Sequence, residues 1–234
     1  MFSENLRETF NLALFWEYRQ ILLAGLAFNF YVFACSAVVS VALGFLAALG
    51  RVNPLRPLRW LGAIHVETFR NAPDYVMLVW VHFVLPLLLS QVLGQRITFA
   101  PFVSAVIALG LVYSGYLAET FRAGIQAVPK GHIEAARACG MGGPLIMRRI
   151  VLPQAVRMML PEAMNNFVSL FKATTIVSLI TVPDMMYNVS MVTQQEMRPL
   201  PLYTGAAITY FLLIWAVAGL ARLASERWRR KIWA

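Results

Sequence analysis

Four stretches of this chain carry no charged residue, and each is long enough to cross a bilayer: Gln20 to Gly50 (31 residues), Tyr75 to Gln95 (21), Ile97 to Ala118 (22) and Pro199 to Ala221 (23). A helix needs about 20 apolar residues to cross roughly 30 Å of hydrocarbon. The composition agrees. Of the 234 residues 59% are hydrophobic and 13% charged, where soluble domains sit near 45–50% and about 25%. The chain reads as an all-α, polytopic membrane protein, and soluble or fibrous folds are excluded.

The charges that remain set a topology. Fourteen of the 20 Lys and Arg fall in three places: after the first run (Arg51, Arg56, Arg59), between the third run and the next crossing (Arg122, Lys130, Arg137, Arg148, Arg149, Arg157), and at the end (Arg222, Arg227, Arg229, Arg230, Lys231). Basic residues gather on the cytoplasmic side, which puts the amino terminus outside and the carboxyl terminus inside. The pI near 10.1 therefore reports membrane orientation rather than nucleic-acid binding. An odd number of crossings follows. The missing one is Met158 to Pro183, where Glu162 and Lys172 must face protein rather than lipid.

Five spans result, at about 20–50, 73–94, 97–121, 155–182 and 201–223, in one domain covering 1–234. Asn53 to Arg70, with Pro54 and Pro57 at its start, reads as a helix along the cytoplasmic interface. Pro183 to Leu200 reads as a mostly polar exterior loop. The leading residues carry Glu4, Glu8 and Glu17 and no cleavage signature, so the first span is expected to stay in the protein. That segment would lie along the membrane face with Phe10, Phe15, Trp16 and Tyr18 at interfacial depth, as would Trp228 and Trp233 inside. Cys35 and Cys139 fall in a span and a cytoplasmic loop, so no disulfide between them is expected.

Familiar enzyme chemistry is missing. There is no G-x-x-x-x-G-K-[ST] phosphate loop and no His-Glu-x-x-His pair among His65, His82 and His132. His132-Ile133-Glu134 lacks the P-C-x-x-C partner of a zinc deaminase. The most informative segment is instead the cytoplasmic loop at about 122–154. Gly131-His132-Ile133-Glu134-Ala135-Ala136-Arg137-Ala138-Cys139-Gly140 reads as a short helix of small residues with one acid, broken after Gly140. Pro153, in Ile150-Val151-Leu152-Pro153, reads as the first turn of the next helix. The residues alone leave two readings open, a docking surface and an ordinary linker.

Glu134-Ala135-Ala136, Gly140 and Ile150-x-Leu152-Pro153 match the E-A-A-x3-G-x9-I-x-L-P pattern at every fixed position. The chain thereby resembles the membrane subunits of bacterial ABC importers, and its flanks narrow the resemblance to polar amino-acid permeases. Tyr116 to Gly131 is similar to that family's segment before the loop. Leu160-Pro161 to Asn165, with Lys172 and Thr174, is similar to its fourth span, and Glu67, Phe69-Arg70 and Pro73 to the segment before its second. Departures fall at Asn71-Ala72, Asp74-Tyr75, Met77, His132 and Lys172-Ala173-Thr174-Thr175, several of them beside the expected path.

The resemblance implies a type I ABC importer permease fold and a division of labour. The loop helix would seat on a separate ATP-binding subunit, present in two copies, through Gly131, Glu134, Ala135, Ala136, Gly140, Ile150, Leu152 and Pro153. ATP and Mg would belong to that partner, with no cofactor or metal in this chain. A second permease chain, identical or homologous, would help enclose the path, and an extracytoplasmic binding protein would deliver the amino acid.

Charge within the bilayer costs about 2.5–3.5 kcal/mol on insertion scales, so such residues face a partner or a cavity. Asn165, Ser169 and Lys172 share one helix face. With Thr175 and Glu162, that face lines either a substrate path or a permease–permease interface. Glu67 with Arg70 beside Pro73, and Glu119 with Arg122, are spaced i, i+3 for local ion pairs that could also serve gating. The alternative functions are an ion-coupled secondary transporter, for which no repeat is evident, and an intramembrane hydrolase, for which no nucleophile is arranged.

Overall fold

A computed structural model of the chain describes residues 12–230, the side chains at 221 and 224–230 excepted. Phe10, Trp233, Lys231 and the side chains of Arg227, Trp228, Arg229 and Arg230 therefore lie outside the described residues. The described residues are helical almost throughout: α1 (Ala13–Glu17), α2 (Arg19–Val52), α3 (Arg56–Arg70), α4 (Asp74–Val79), α5 (Leu85–Leu93), α6 (Pro101–Gln126), α7 (Lys130–Ala138), α8 (Gly143–Ile146), α9 (Leu152–Ala173), α10 (Met185–Glu196) and α11 (Pro199–Arg230). Among the described residues five stretches are long and apolar enough to cross a membrane: Arg19–Val52, Asp74–Leu93, Pro101–Gln126, Gly143–Ile180 and Pro199–Leu220.

Local chemistry explains most boundaries. α2 runs unbroken because nothing between Gln20 and Gly50 interrupts an apolar helix, and Pro54 stops it. Asn53 Oδ1 then accepts from the Leu55 amide at 2.9 Å, an Asx turn that redirects the chain into α3. Gly94, at φ 66, closes α5.

Two turns widen from α- to π-helical geometry, Trp80–Val84 between α4 and α5 and Met147–Val151 between α8 and α9. Each ends two residues before a proline, Pro86 and Pro153. A proline inside a helix has no N–H to donate, and its ring crowds the carbonyl four residues back, so a widened turn accommodates it without ending the helix.

The sequence expectation for Pro153 is corrected on this point. Helix runs without a break from Gly143 through Pro153 to Ala173, continuing as a 3-10 turn over Thr174–Ile180. The region expected as a loop at 122–154 is accordingly mostly helical. The expected exterior loop after Pro183 likewise holds α10, started by Asp184, whose Oδ1 accepts from the Tyr187 amide at 2.8 Å.

The chain divides into two compact units. The first draws on residues up to Ser36, Pro73–Leu109 and Ser169–Val217; the second on Ala37–Ala72, Gly110–Val168 and residues from Ala218 on. In the first unit Leu22, Met185, Val189, Val192, Leu202, Ala206 and Tyr210 form a core, with Leu14, Phe15 and Tyr18 packed against it. Phe15 and Tyr18 thus meet protein, while Trp16 stays exposed. The Tyr18 hydroxyl donates to Glu196 Oε1 at 2.6 Å.

In the second unit glycines set how closely helices approach. A β-carbon at Gly62 would stand 2.7 Å from the Ala47 carbonyl, and one at Gly115 would stand 2.7 Å from the Arg70 nitrogen. Between helices surrounded by lipid, van der Waals fit rather than water exclusion holds such contacts. They also set α3 antiparallel beside the end of α2, with Leu58 at Gly50 and Gly62 at Ala47, and bring it to Ser114 and Gly115 midway along α6.

Candidate functional site

α7 is the centre of a folded segment. Ala136 is buried with Val128, Ile146, Val151 and Ala155, and Ile125, Ile133, Met141, Met147 and Ile150 pack against them. The helix ends in a Schellman turn. The Gly140 amide donates to the Arg137 carbonyl at 2.9 Å and the Met141 amide to the Ala136 carbonyl at 3.1 Å. Gly140 takes φ 78, and a β-carbon there would meet nothing within 4 Å, so the glycine is required by backbone conformation. Ala136 thus belongs to the segment's own core, and Gly140 closes its helix.

What remains outward is a smaller face. Gly131, Glu134, Ala135 and Ala138 are all exposed at i, i+3, i+4 and i+7. Glu134 makes no ion pair or side-chain hydrogen bond among the described residues. Of the later motif residues, Ile150 and Leu152 are half-buried and Pro153 is exposed just past the widened turn.

Sequence reasoning missed one contact here. His132 Nδ1 lies 2.9 Å from Gln154 Oε1, and Gln154 Nε2 donates to the Ile150 carbonyl at 2.9 Å. Nothing in the spacing of His132 and Gln154 announces it.

Further back in the second unit, Glu119 binds Arg122, as the i, i+3 spacing predicts, through Arg122 Nε at 3.0 and 3.1 Å. It also holds Arg51 at 2.9 Å, a pairing between α2 and α6 that sequence distance hides. Glu67 does not pair with Arg70 among the described residues; it accepts from Asn71 Nδ2 at 3.2 Å instead. Pro73 stands at the head of α4, and Glu67, Arg70 and Pro73 are all exposed.

Along α9 the residues expected to face a path lie on its exposed side: Glu162, Asn165, Ser169 and Lys172, recurring at i, i+3, i+7 and i+10. Asn165 Nδ2 reaches Glu162 Oε2 only at 3.5 Å. Lys172 has no acidic partner among the described residues. Thr175 is half-buried, its hydroxyl donating to the Lys172 carbonyl at 2.9 Å. Asn166, on another side, donates to Thr120 Oγ1 at 2.9 Å and binds α9 to α6.

The first unit contains a second arrangement that the sequence reading did not foresee. Asn29 Nδ2 donates to Asp184 Oδ2 at 3.0 Å and to the Thr174 carbonyl at 3.1 Å, while Asn29 Oδ1 accepts from Tyr210 Oη at 3.0 Å and from the Met185 amide at 3.3 Å. Asn29, Thr174 and Asp184 are fully buried. Burial pushes the Asp184 carboxyl up to about 6, against the pull of the Tyr187 amide and Asn29. Pro183-Asp184 ahead of an apolar run was the available signal, an N-cap residue before a helix.

Comparison with known proteins gives consistent results. The family model described as binding-protein-dependent transport system inner membrane component matches residues 40–230. The L-cystine transport system permease protein TcyB of Bacillus subtilis (strain 168) is 30% identical over 99% of both chains. The arginine transport system permease protein ArtQ of the same organism is 33% identical over 82% of this chain and 85% of its own. A crystal structure of an amino acid ABC transporter with histidines superposes at TM-score 0.81, with 29% identity over 90% of this chain and 95% of that one. The MetNI methionine ABC transporter in an inward-facing conformation, at TM-score 0.64 and 20% identity over 94% and 98%, shares the fold.

Proposed function

The chain belongs to the family of binding-protein-dependent transport system inner membrane components, and from that membership we propose how it works. It is a multi-pass membrane permease subunit of the ABC importer type, and a polar amino acid is the cargo this reading gives it. Relatives that carry cystine and arginine support the choice of cargo. A secondary transporter is not favoured. The amino terminus faces outward and α7 faces the cytoplasm, as the distribution of Lys and Arg indicates.

In this reading α7 seats on a separate ATP-binding subunit. Gly131, Ala135 and Ala138 give the partner a flat approach, and Glu134 supplies a single charge for a basic residue on it. Ala136, Gly140, Ile150, Leu152 and Pro153 hold that face in shape from behind. ATP and Mg reside on the partner, in two copies per transporter. A second permease chain, identical or homologous, covers the exposed polar side of α9, because Glu162 and Lys172 are costly against hydrocarbon. Asn165, Ser169, Lys172 and Thr175 then border the path, and a binding protein outside delivers the amino acid.

The observation that carries the proposal is the exposed Glu134, unpaired among the described residues, on a helix whose other side is packed and capped by this chain's own residues. Its test is Glu134→Lys. Charge reversal at an interface costs enough to lower uptake by about tenfold or more, while the variant still reaches the membrane in normal amount. Uptake at the wild-type rate would remove Glu134 from the docking face.

A further inference from the structure

The apolar core beneath α7 fixes its distance from α9 but not its rotation, because apolar contact is non-directional. Two polar side chains supply direction. Gln154 Nε2 is committed to the Ile150 carbonyl, which can only accept, so Gln154 Oε1 is the atom turned toward His132. That oxygen accepts only, so His132 Nδ1 carries the hydrogen. The chain of bonds runs from α7, through one amide, into the widened turn at Met147–Val151. It ends one residue from the Arg149 carbonyl, whose usual helical donor Pro153 removes.

We propose that His132 and Gln154 form a clasp that fixes the orientation of α7 on the head of the fourth span, so that displacement of the ATPase-facing helix is passed to α9 rather than absorbed at the widened turn. His132 and Gln154 are positioning residues: neither touches cargo or nucleotide. The inference rests on the coupling role proposed for α7.

The test uses the whole transporter, the permease with its ATPase reconstituted in vesicles with the binding protein, and reads amino acid imported per ATP hydrolysed. His132→Leu and Gln154→Leu are each expected to lower that ratio about fivefold, the worth of one ordinary hydrogen bond, with complex yield and basal hydrolysis unchanged. The double variant falls no further than either single one, since both remove the same bond. His132→Asn, whose amide nitrogen stands where Nδ1 does, restores the ratio to within about twofold.

An unchanged ratio in His132→Leu overturns the clasp, as does a His132→Asn variant that fails as fully as His132→Leu, because side-chain volume alone would then be at work. A wild-type complex that imports without hydrolysing ATP overturns the permease reading, and the clasp with it. His132 is exposed, so its variants test the idea even if Gln154→Leu disturbs folding.

Discussion

Asp184 brings one buried carboxylate to four donors, the amides of Met186, Tyr187 and Asp184 itself and the side chain of Asn29. They satisfy the ionised form only in part, and burial still lifts the carboxyl from 3.8 to about 6. The folded chain therefore holds this proton more tightly than the unfolded chain does. Its contribution to stability is fully present below the unfolded value and is lost as pH rises through about 6. Asp184→Asn removes that dependence while keeping a good N-cap. Thermal unfolding in detergent across this range should show wild type losing ground against Asp184→Asn as pH rises, with a constant difference above about pH 7. Parallel curves at every pH would contradict the assignment. At this scale the sequence is least legible: Asn29 reads as an ordinary polar residue in an apolar span until Thr174, Asp184 and Tyr210 are folded around it.

Among the elements, the ones most readable beforehand are those whose signal is local. The spans follow from charge-free runs and the stop at Pro54 from proline chemistry. Pro153 misleads for an equally physical reason: proline is favoured at a helix start, and here a widened turn just before it carries the helix past it. The end of α7 is legible as a position but not as a cause. Gly140 marks the stop, yet its role is the left-handed closing residue of a Schellman turn. Gly140→Ala must place a β-carbon in that conformation, at a cost of about 1–2 kcal/mol. The expected outcome is a frayed α7, seen as faster hydrogen exchange at the Met141 amide and lower uptake, with membrane insertion retained. Unaltered exchange there would show that the turn tolerates a side chain. The pairing of Arg51 with Glu119, between elements far apart in the sequence, has no local signature at all.

For the molecule as a whole, the family, the membrane class and the number of crossings were legible because they rest on length, charge and one motif at fixed spacing. The division of the motif between an outward face and an inner support was not, because it depends on which side of α7 its own chain covers. The central claim is that the outward face belongs to a separate ATPase. It is tested most directly by purifying the tagged chain from gently solubilised membranes and identifying by mass spectrometry what accompanies it. The account predicts a phosphate-loop ATPase in an amount equal to the permease chains, lost on Glu134→Lys. The chain recovered alone, under conditions in which ABC complexes survive, would contradict it.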